Sequence, residues 1–358
     1  MLKKRFGKLA ATTLAGSMLM TAAACGGGDE TATTASPGAT GTSAPAASDL
    51  KVGLAYDIGG RGDQSFNDAA AAGLDKAKTE LGIADTKELE AGSGETEAAK
   101  EERLRLLAQG GYNTIIAVGF AYSGPVKKVA TEFPDVKFAI VDDEAATGAN
   151  ISNLVFAEHE GSFLVGAAAA LKSKKNHVGF VGGVEVPLIK KFEAGFAAGA
   201  KAVKSDIKVD VKYLSQPPDF SGFTDPAKGK TAAEGMFDAG ADVVYHAAGG
   251  SGGGVFEAAK AAKGWAIGVD SDQALTAAPE VRDVILTSMV KKVDVAVLDF
   301  LKGVADGSVK SGPVVYDLKA GGVDYSTTGG HVDDIKTQLD EYKQKIISGE
   351  IKVPSEVS

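Results

Sequence analysis

The chain has 358 residues, of which 44% are hydrophobic and 24% charged, with one cysteine and four scattered histidines. This length predicts about two domains with substantial cores. The single cysteine excludes an intramolecular disulfide, and the scattered histidines argue against a metal site. We expect neither a metal nor a cofactor. Because four basic residues among the first eight contribute +4 to a formal net charge of −9, the rest of the chain carries −13, which argues against a nucleic-acid partner.

The first 24 residues predict a secretory signal peptide. A cationic segment, 1–8, is followed by an apolar segment of 16 residues, 9–24, which is too short to span a membrane comfortably. The three alanines before Cys25 resemble the lipobox at which bacterial lipoproteins are cleaved, although Ala22 stands where leucine is usual. We therefore expect Cys25 to carry lipid such as palmitate; the alternative is an ordinary secretory signal with an incidental cysteine.

Residues 25–48 predict a flexible tether. They are rich in Gly, Ser, Thr, Ala and Pro and contain almost no large apolar side chains. Such a segment buries too little surface to offset its chain entropy. A tether of this kind suits a domain anchored to a membrane, and the folded body is expected to begin near Asp49.

The body opens with a strand and an amphipathic helix. KVGLAYD predicts the strand, and apolar residues at spacings of three and four predict a helix from Phe66 to Leu81. Ser65, with Asp68 three residues later, approximates a capping box, and Gly82 suits the end of the helix.

Further short apolar runs alternate with helical segments along the rest of the chain. Near-continuous apolar strands separated by helices predict parallel sheets covered on both faces, and their number predicts an α/β protein with two doubly wound lobes. The runs are TIIAV (114–118), KFAIVD (137–142), HVGFVG (177–182), VDVKYL (209–214), DVVYHA (242–247), WAIGVD (265–270) and VILTSM (284–289).

The segments that follow these strands contain most of the candidate functional residues. In open α/β sheets, ligands bind beyond the carboxyl ends of the strands. Aromatic rings, carboxylates, a lysine and glycine backbone recur at these positions. They include YDIGGRGDQSFN (56–67), VGFAYSG (118–124), VDDE (141–144), GGVEVPLIKKF (182–192), SQPPDFSGFTDP (215–226), AAGGSGGG (247–254), GVDSDQ (268–273) and SMVKK (288–292).

One glycine-rich segment offers an enzymatic alternative. Gly249 to Gly253 matches the G-x-S-x-G pattern of an α/β-hydrolase, with Ser251 as nucleophile and His331 as a later base. The pattern arises easily by chance in so glycine-rich a run, and no HGGG-like segment precedes it. A phosphate-binding loop ending at Thr231 is excluded because Thr224 replaces its first glycine.

Several long stretches resemble one family of binding proteins. They are GGRGDQSFND, FAEHEGSFLVGAAAAL, VGFVGGVEVPLIKKFEAGFAAGAKAV, DPAKGKTAAEGMFDAGADVVYHAAGGSGGGVFEAAKAA, WAIGVDSDQ and, with one inserted isoleucine, VILTSMVKKVDVAV. Together they cover most of residues 50–320 and resemble the basic membrane protein family, the PnrA-like purine nucleoside-binding lipoproteins of ABC transporters.

The resemblance implies a type I periplasmic-binding-protein fold, in which two α/β lobes joined by three crossovers close over a ligand. Assigning the crossovers by sequence, we expect lobe 1 to comprise 49–156 and 271–310. Lobe 2 is expected to comprise 157–270 and 311–358. Hinge motion about the crossovers would then enclose the ligand.

The resemblance also implies a site for a nucleoside base. Phe66 and Phe223 are expected to sandwich the base, and Phe192 is a competing candidate for the second ring. Core packing is the alternative for each phenylalanine: Phe192 has Ile189 and Phe196 at helical spacing, and Phe66 fits the apolar stripe of its helix. Which ring is the second one stays open.

Polar residues complete the implied site. Asn67 and Asp63 are candidates for the base edge or the sugar, although helix capping and turn formation also explain them. Gly119 is expected to let the backbone approach the ligand closely. The expected ribose contacts are Asp57, Asp142, Gly268, Asp270 and Lys291. For Lys291 the alternatives are a surface salt bridge or an exchange of roles with Lys292.

The function implied is capture without chemistry. We expect a monomeric lipoprotein on the extracytoplasmic face of the cell membrane that delivers a nucleoside to an ABC permease. Purine or pyrimidine preference stays open. A sugar-binding, small-solute-binding or sensory lipoprotein of the same fold is the alternative.

Overall fold

The computed structural model describes residues 49–92 and 94–357, so the predicted signal peptide, Cys25 and the tether lie outside the described residues. No helix within the described residues is both long and apolar enough to cross a membrane. The strands are β1 Lys51–Ala55, β2 Asp85–Leu89, β3 Thr114–Ala117, β4 Lys137–Val141, β5 Ile151–Phe156, β6 His177–Val184, β7 Lys208–Ser215, β8 Val243–Ala247, β9 Trp265–Asp270, β10 Ile285–Lys291, β11 Gly312–Tyr316 and β12 Val323–Tyr325. The helices are α1 Phe66–Leu81, α2 Glu97–Gln109, α3 Ser123–Glu132, α4 Glu158–Lys172, α5 Pro187–Val203, α6 Pro226–Asp238, α7 Gly252–Ala262, α8 Gln273–Thr276, α9 Val293–Asp306 and α10 Lys336–Ile347.

The described strands form two six-stranded sheets. The first has the order β2-β1-β3-β4-β5-β11 and the second the order β7-β6-β8-β9-β10-β12. Neighbouring strands pair in parallel, except for the antiparallel pair of β10 and β12. Parallel pairing requires crossover connections, which helices supply between most of the consecutive strands, whereas β4 and β5 are joined by a segment without a helix. The predicted α/β fold with two doubly wound lobes is confirmed.

The predicted division of the chain between the lobes needs correction at two strands. β10, within the residues 271–310 assigned to lobe 1, pairs with β9 in the second sheet, whereas β11, within the residues 311–358 assigned to lobe 2, pairs with β5 in the first. Helix α9 between them packs on α1 of the first lobe. Consecutive strands tend to pair, so β10 continues the sheet of β9. The chain crosses between the lobes at Ala157, at Lys292 and between Tyr316 and Val323.

Helix α1 is capped by Asp63 and not by Ser65. The side chain of Ser65 makes no capping bond, so the predicted capping box is wrong. The carboxylate of Asp63 instead accepts the N–H groups of Asn67 and Asp68, at 2.9 and 3.1 Å, and so satisfies the free donors of the first turn. Gly82 ends the helix in a left-handed conformation with φ 69°, as predicted.

Helices α4 and α5 pack unusually closely, immediately after the first crossing. A Cβ atom at Gly195 would overlap the carbonyl oxygen of His159, and one at Gly199 would overlap that of Phe163. Only glycine permits the two backbones to approach to this distance. The close packing fixes Phe192 on α5 relative to Glu158 at the start of α4.

Candidate functional site

The carboxyl ends of strands from both sheets face a cleft between the lobes. Nine of the eleven predicted ligand-binding residues line this cleft, and they come from both lobes. These are Asp57, Asp63, Phe66, Asn67, Asp142, Phe192, Phe223, Asp270 and Lys291.

Gly119 and Gly268 were also predicted to contact the ligand, and neither is among the residues that line the cleft. Gly119 has φ 102°, and a Cβ atom there would overlap the carboxylate of Asp57. Gly268 lies within β9, where a Cβ atom would crowd Gln273 and Ser288 at 2.7 Å. Both glycines therefore allow neighbouring side chains to pack closely beside the cleft.

A buried lysine links the two lobes at the base of the cleft. The Nζ atom of Lys291, at the end of β10, lies 2.5 Å from Oδ2 of Asp142, which follows β4 in the other lobe. It also lies 3.6 Å from Oδ1 of Asp270, at the end of β9. Lys291 is only 3% exposed, so the surface salt bridge considered for it is wrong. Lys292 does not line the cleft, and its N–H donates to the carbonyl of Gly322.

The two aspartates share an uncommon backbone conformation. Asp142 and Asp270 both have φ 63°, in the left-handed region that side-chain-bearing residues rarely adopt. Asp142 directly follows β4 in lobe 1, and Asp270 is the last residue of β9 in lobe 2. Strained residues of this kind are concentrated at functional sites, where the surrounding structure holds them.

Three aromatic rings surround the Lys291 ammonium. The Nζ atom lies 4.6 Å from the ring centroid of Phe66, 5.4 Å from that of Phe156 and 5.5 Å from that of Phe192. These distances are within the range of cation–π attraction. Phe156, at the end of β5, was not among the predicted site residues although it begins the FAEHEGSF stretch.

The candidate stacking rings come from opposite lobes. Phe66 is half-buried at the start of α1, and Phe223 is half-buried in the turn before α6. Phe192 is 2% exposed and belongs to the hydrophobic core, so core packing accounts for most of its surface, although an edge reaches the cleft.

Polar residues around the start of α1 form a local network. Asn67 accepts the N–H of Asp57 at 3.1 Å through Oδ1 and donates through Nδ2 to Asp63 at 3.0 Å. The structure thus gives Asn67 and Asp63 the turn and capping contacts that the sequence left open. Burial raises the pKa of Asp57 to about 6, although the hydrogen bond from the N–H of Ile58 to its carboxylate acts to lower it. Burial also raises the pKa of Asp63 to about 6.

The remaining lining residues are apolar or glycine, and sequence reasoning did not select them. All seven lie in strand-end segments that were recognised, but an apolar residue carries no chemical signal that separates a cleft wall from a core. They are Ile58, Phe120, Leu188, Ile189, Ala247, Gly249 and Val269.

The hydrolase alternative finds no support in the geometry. Ser251 is completely buried; its hydroxyl donates to the carbonyl of Gly222 and accepts the N–H of Asp225, both at 2.8 Å. His331 packs against Trp265, with ring centroids 4.7 Å apart. Ser251 therefore ties two turns together.

Glu158 is a buried acid beside the cleft that sequence reasoning missed. It begins α4 at the first crossing, is 1% exposed, and its Oε2 atom has no hydrogen-bond partner within residues 49–92 and 94–357. Burial raises the pKa of Glu158 to about 8, and the charge of Asp142 acts in the same direction, while Lys291 and Lys191 oppose it. Burial alone would lower the pKa of Lys291, but the carboxylates of Asp142, Asp270 and Glu158 hold it above its ordinary value.

Burial of Glu158 should make the stability of the protein depend on pH. Because its pKa rises from an ordinary 4.5 to about 8 on folding, its contribution to stability is fully present below pH 4.5 and is lost as the pH rises towards 8. Glu158→Gln, which resembles the neutral acid, should therefore gain stability relative to the natural protein between pH 5 and pH 8, by on the order of 3 kcal/mol. Urea unfolding across this range measures the difference.

Glu234→Gln, at an exposed position on α6, is the matched control and should leave the pH profile unchanged. Parallel profiles for Glu158→Gln and the natural protein would show that Glu158 does not titrate in this range.

The chain is similar to known proteins over most of its length. The family model described as ABC transporter substrate-binding protein PnrA-like matches residues 50–357. A Lactococcus lactis subsp. cremoris protein described as the ABC transporter nucleoside-binding protein BmpA is 37% identical, over 88% of this chain and 92% of its own. An uncharacterised lipoprotein of Pyrococcus abyssi is 35% identical, over 84% of this chain and 72% of its own.

A solved structure supports the fold assignment. An ABC transporter solute-binding protein from Aeropyrum pernix has a TM-score of 0.74 and 31% sequence identity, covering 85% of this chain and 94% of that chain. The expected periplasmic-binding-protein fold is thereby confirmed.

Proposed function

The chain belongs to the PnrA-like family of ABC transporter substrate-binding proteins, which bind a substrate and are not enzymes, and we propose that its substrate is a nucleoside, with a purine base, held in the cleft between the lobes. The observation that carries this proposal is the combination of half-buried rings from both lobes with a buried lysine and two aspartates at strand ends. The nucleoside-binding relative from Lactococcus lactis supports the same substrate class.

The rings serve the flat base. Phe66 of lobe 1 and Phe223 of lobe 2 reach the cleft from opposite sides and retain partly exposed surface, as stacking partners require. A base held between two rings buries both of its apolar faces. Phe192 is more deeply buried and serves as the wall beside them.

The charged groups serve the sugar. Hydroxyl groups donate to carboxylates, so Asp142 and Asp270 suit the ribose hydroxyls, while the Lys291 ammonium donates to a hydroxyl oxygen. A ligand that lacks one hydroxyl would leave a buried polar group unpaired, which gives discrimination. Since carboxylates outnumber the single lysine in the lining, a neutral nucleoside fits better than a phosphorylated one.

Ring removal tests the stacking. Phe66→Ala and Phe223→Ala should each weaken nucleoside binding by about 1–3 kcal/mol, which is roughly five- to more than a hundredfold in Kd. Isothermal titration calorimetry with inosine, guanosine, adenosine and cytidine measures the loss, and Phe192→Ala should weaken binding less than Phe223→Ala.

Phe133→Ala, at a half-buried ring beyond α3, is the control variant in lobe 1 and should bind as the natural protein does. If no nucleoside binds while ribose or another sugar does, the nucleoside proposal is wrong and the sugar-binding alternative replaces it. Unchanged affinity in both Phe66→Ala and Phe223→Ala would place the ligand elsewhere.

We further propose that the protein is a lipoprotein anchored through Cys25 at the extracytoplasmic face, where it hands its ligand to an ABC permease. The proposal is supported by the alanines before Cys25 and by a relative described as a lipoprotein. The permease follows from the family, whose members serve ABC transporters.

Removal of the cysteine tests the anchor. Cys25→Ala should abolish incorporation of radiolabelled palmitate, because the thiol that would carry the lipid is gone. The variant protein should also lose its association with the membrane fraction. Equal labelling of Cys25→Ala and the natural protein would contradict the lipid anchor.

A further inference from the structure

The segment before α1 in lobe 1 touches the segment after β9 in lobe 2 through direct hydrogen bonds. The side chain of Ser65 is completely buried, and its hydroxyl donates to Oδ2 of Asp270 at 2.5 Å. The neighbouring carbonyl oxygen of Gln64 accepts the hydroxyl of Ser271 at 2.9 Å and Nε2 of Gln273 at 3.1 Å. Every donor and acceptor in these contacts belongs to the protein.

The lobe 1 side of this contact is braced in an uncommon conformation. Gln64 has φ 55°, in the left-handed region, which directs its carbonyl towards lobe 2. The N–H of Gln64 donates to Asp68 at 3.0 Å, and the N–H of Ser65 donates to Asp63 at 2.9 Å. The turn is thus held by carboxylates of its own lobe before it meets the other.

The lobe 2 side is fixed as well. Gln273 is 2% exposed; its Oε1 accepts the N–H of Val269 at 2.9 Å, and its own N–H donates to the hydroxyl of Ser288 at 3.1 Å. Its amide nitrogen is consequently aimed at one place, the Gln64 carbonyl. A contact between two braced segments costs little conformational entropy when it forms.

We propose that Ser65 is a positioning residue for Asp270, and that Gln64, Ser65, Asp270, Ser271 and Gln273 form an interlobe latch that couples ribose recognition to closure of the lobes. The coupling to ribose rests on the proposed function, whereas the latch itself does not. Ser65 occupies Oδ2 of Asp270 while Oδ1 faces Lys291, so the carboxylate is oriented by one group from each lobe. Opening the lobes removes the Ser65 donor and frees the carboxylate to rotate, so Asp270 is ready for a sugar only when the lobes are closed.

Ser65→Ala tests the latch in the full chain, because it deletes one hydroxyl with little change in volume. Hydrogen exchange of the backbone amides, measured without ligand, should accelerate in residues 269–277 of the opposite lobe as well as in residues 62–68. The dissociation rate of bound inosine should rise roughly tenfold, with a smaller change in the association rate, as expected for loss of one hydrogen bond to a charged group.

Ser162→Ala is the matched control. Ser162 is also completely buried, but its hydroxyl pairs at 3.2 Å with that of Tyr245 inside lobe 2. This variant should leave exchange in residues 62–68 and the inosine dissociation rate unchanged. Asp270→Ala combined with Ser65→Ala should accelerate exchange no further than Asp270→Ala alone, because Asp270→Ala already removes the acceptor of the Ser65 hydroxyl.

Unchanged exchange of residues 269–277 in Ser65→Ala, or additive effects in the double variant, would overturn the latch. If inosine and the other nucleosides fail to bind, the proposed function is wrong while the exchange measurements still decide on the latch. Binding with an unaltered dissociation rate in Ser65→Ala would overturn the positioning role.

Discussion

The buried contact between Lys291 and the aspartates of both lobes is the interaction on which the rest of the structure depends. A charge removed from water is costly unless it is paired, and Lys291 is paired across the cleft with Asp142 and within its own lobe with Asp270. Because Lys291 and Asp142 stand at the carboxyl ends of strands in two different sheets, their contact exists only when the lobes are together. Closure and the formation of the proposed sugar site are therefore one event.

The start of α1 shows how local and long-range interactions compete for the same side chains. Ser65 has the residue type and spacing of a helix cap, and in an isolated helix it would serve as one. In the fold, Asp63 takes over the capping, which leaves the Ser65 hydroxyl free to reach Asp270 in the other lobe. The residues around Phe66 therefore position the candidate stacking ring and join the lobes at the same time.

The sequence predicted the two lobes and most of the cleft, because parallel strands are apolar and the residues that follow them are chemically distinctive. The run WAIGVD was predicted with the bounds of β9, and Asp270 and Lys291 lie in strand-end segments, where the resemblance to the binding-protein family selected them as ligand contacts. The edge strand β2, with the sequence DTKEL, was missed because it is polar and half-exposed. Predicting which lobe holds β10 and β11 failed for a different reason: strand pairing is decided by partners far along the chain.

Buried groups without a sequence signature were also beyond reach. Glu158 and Phe156 lie in a stretch that was recognised, yet nothing in their spacing shows that the ring of Phe156 packs on Lys291 or that the charge of Lys291 acts on Glu158. The role of Ser65 was equally hidden, since its partner is 205 positions away in the chain.

We propose that a nucleoside occupies the cleft lined by Phe66, Phe223, Asp270 and Lys291. A crystal structure of the protein grown with inosine tests it most directly. We expect the base between Phe66 and Phe223, and the ribose hydroxyls within hydrogen-bond distance of Asp270 and Lys291. Inosine bound outside the cleft, or in the cleft with its ribose away from both charged residues, would contradict it.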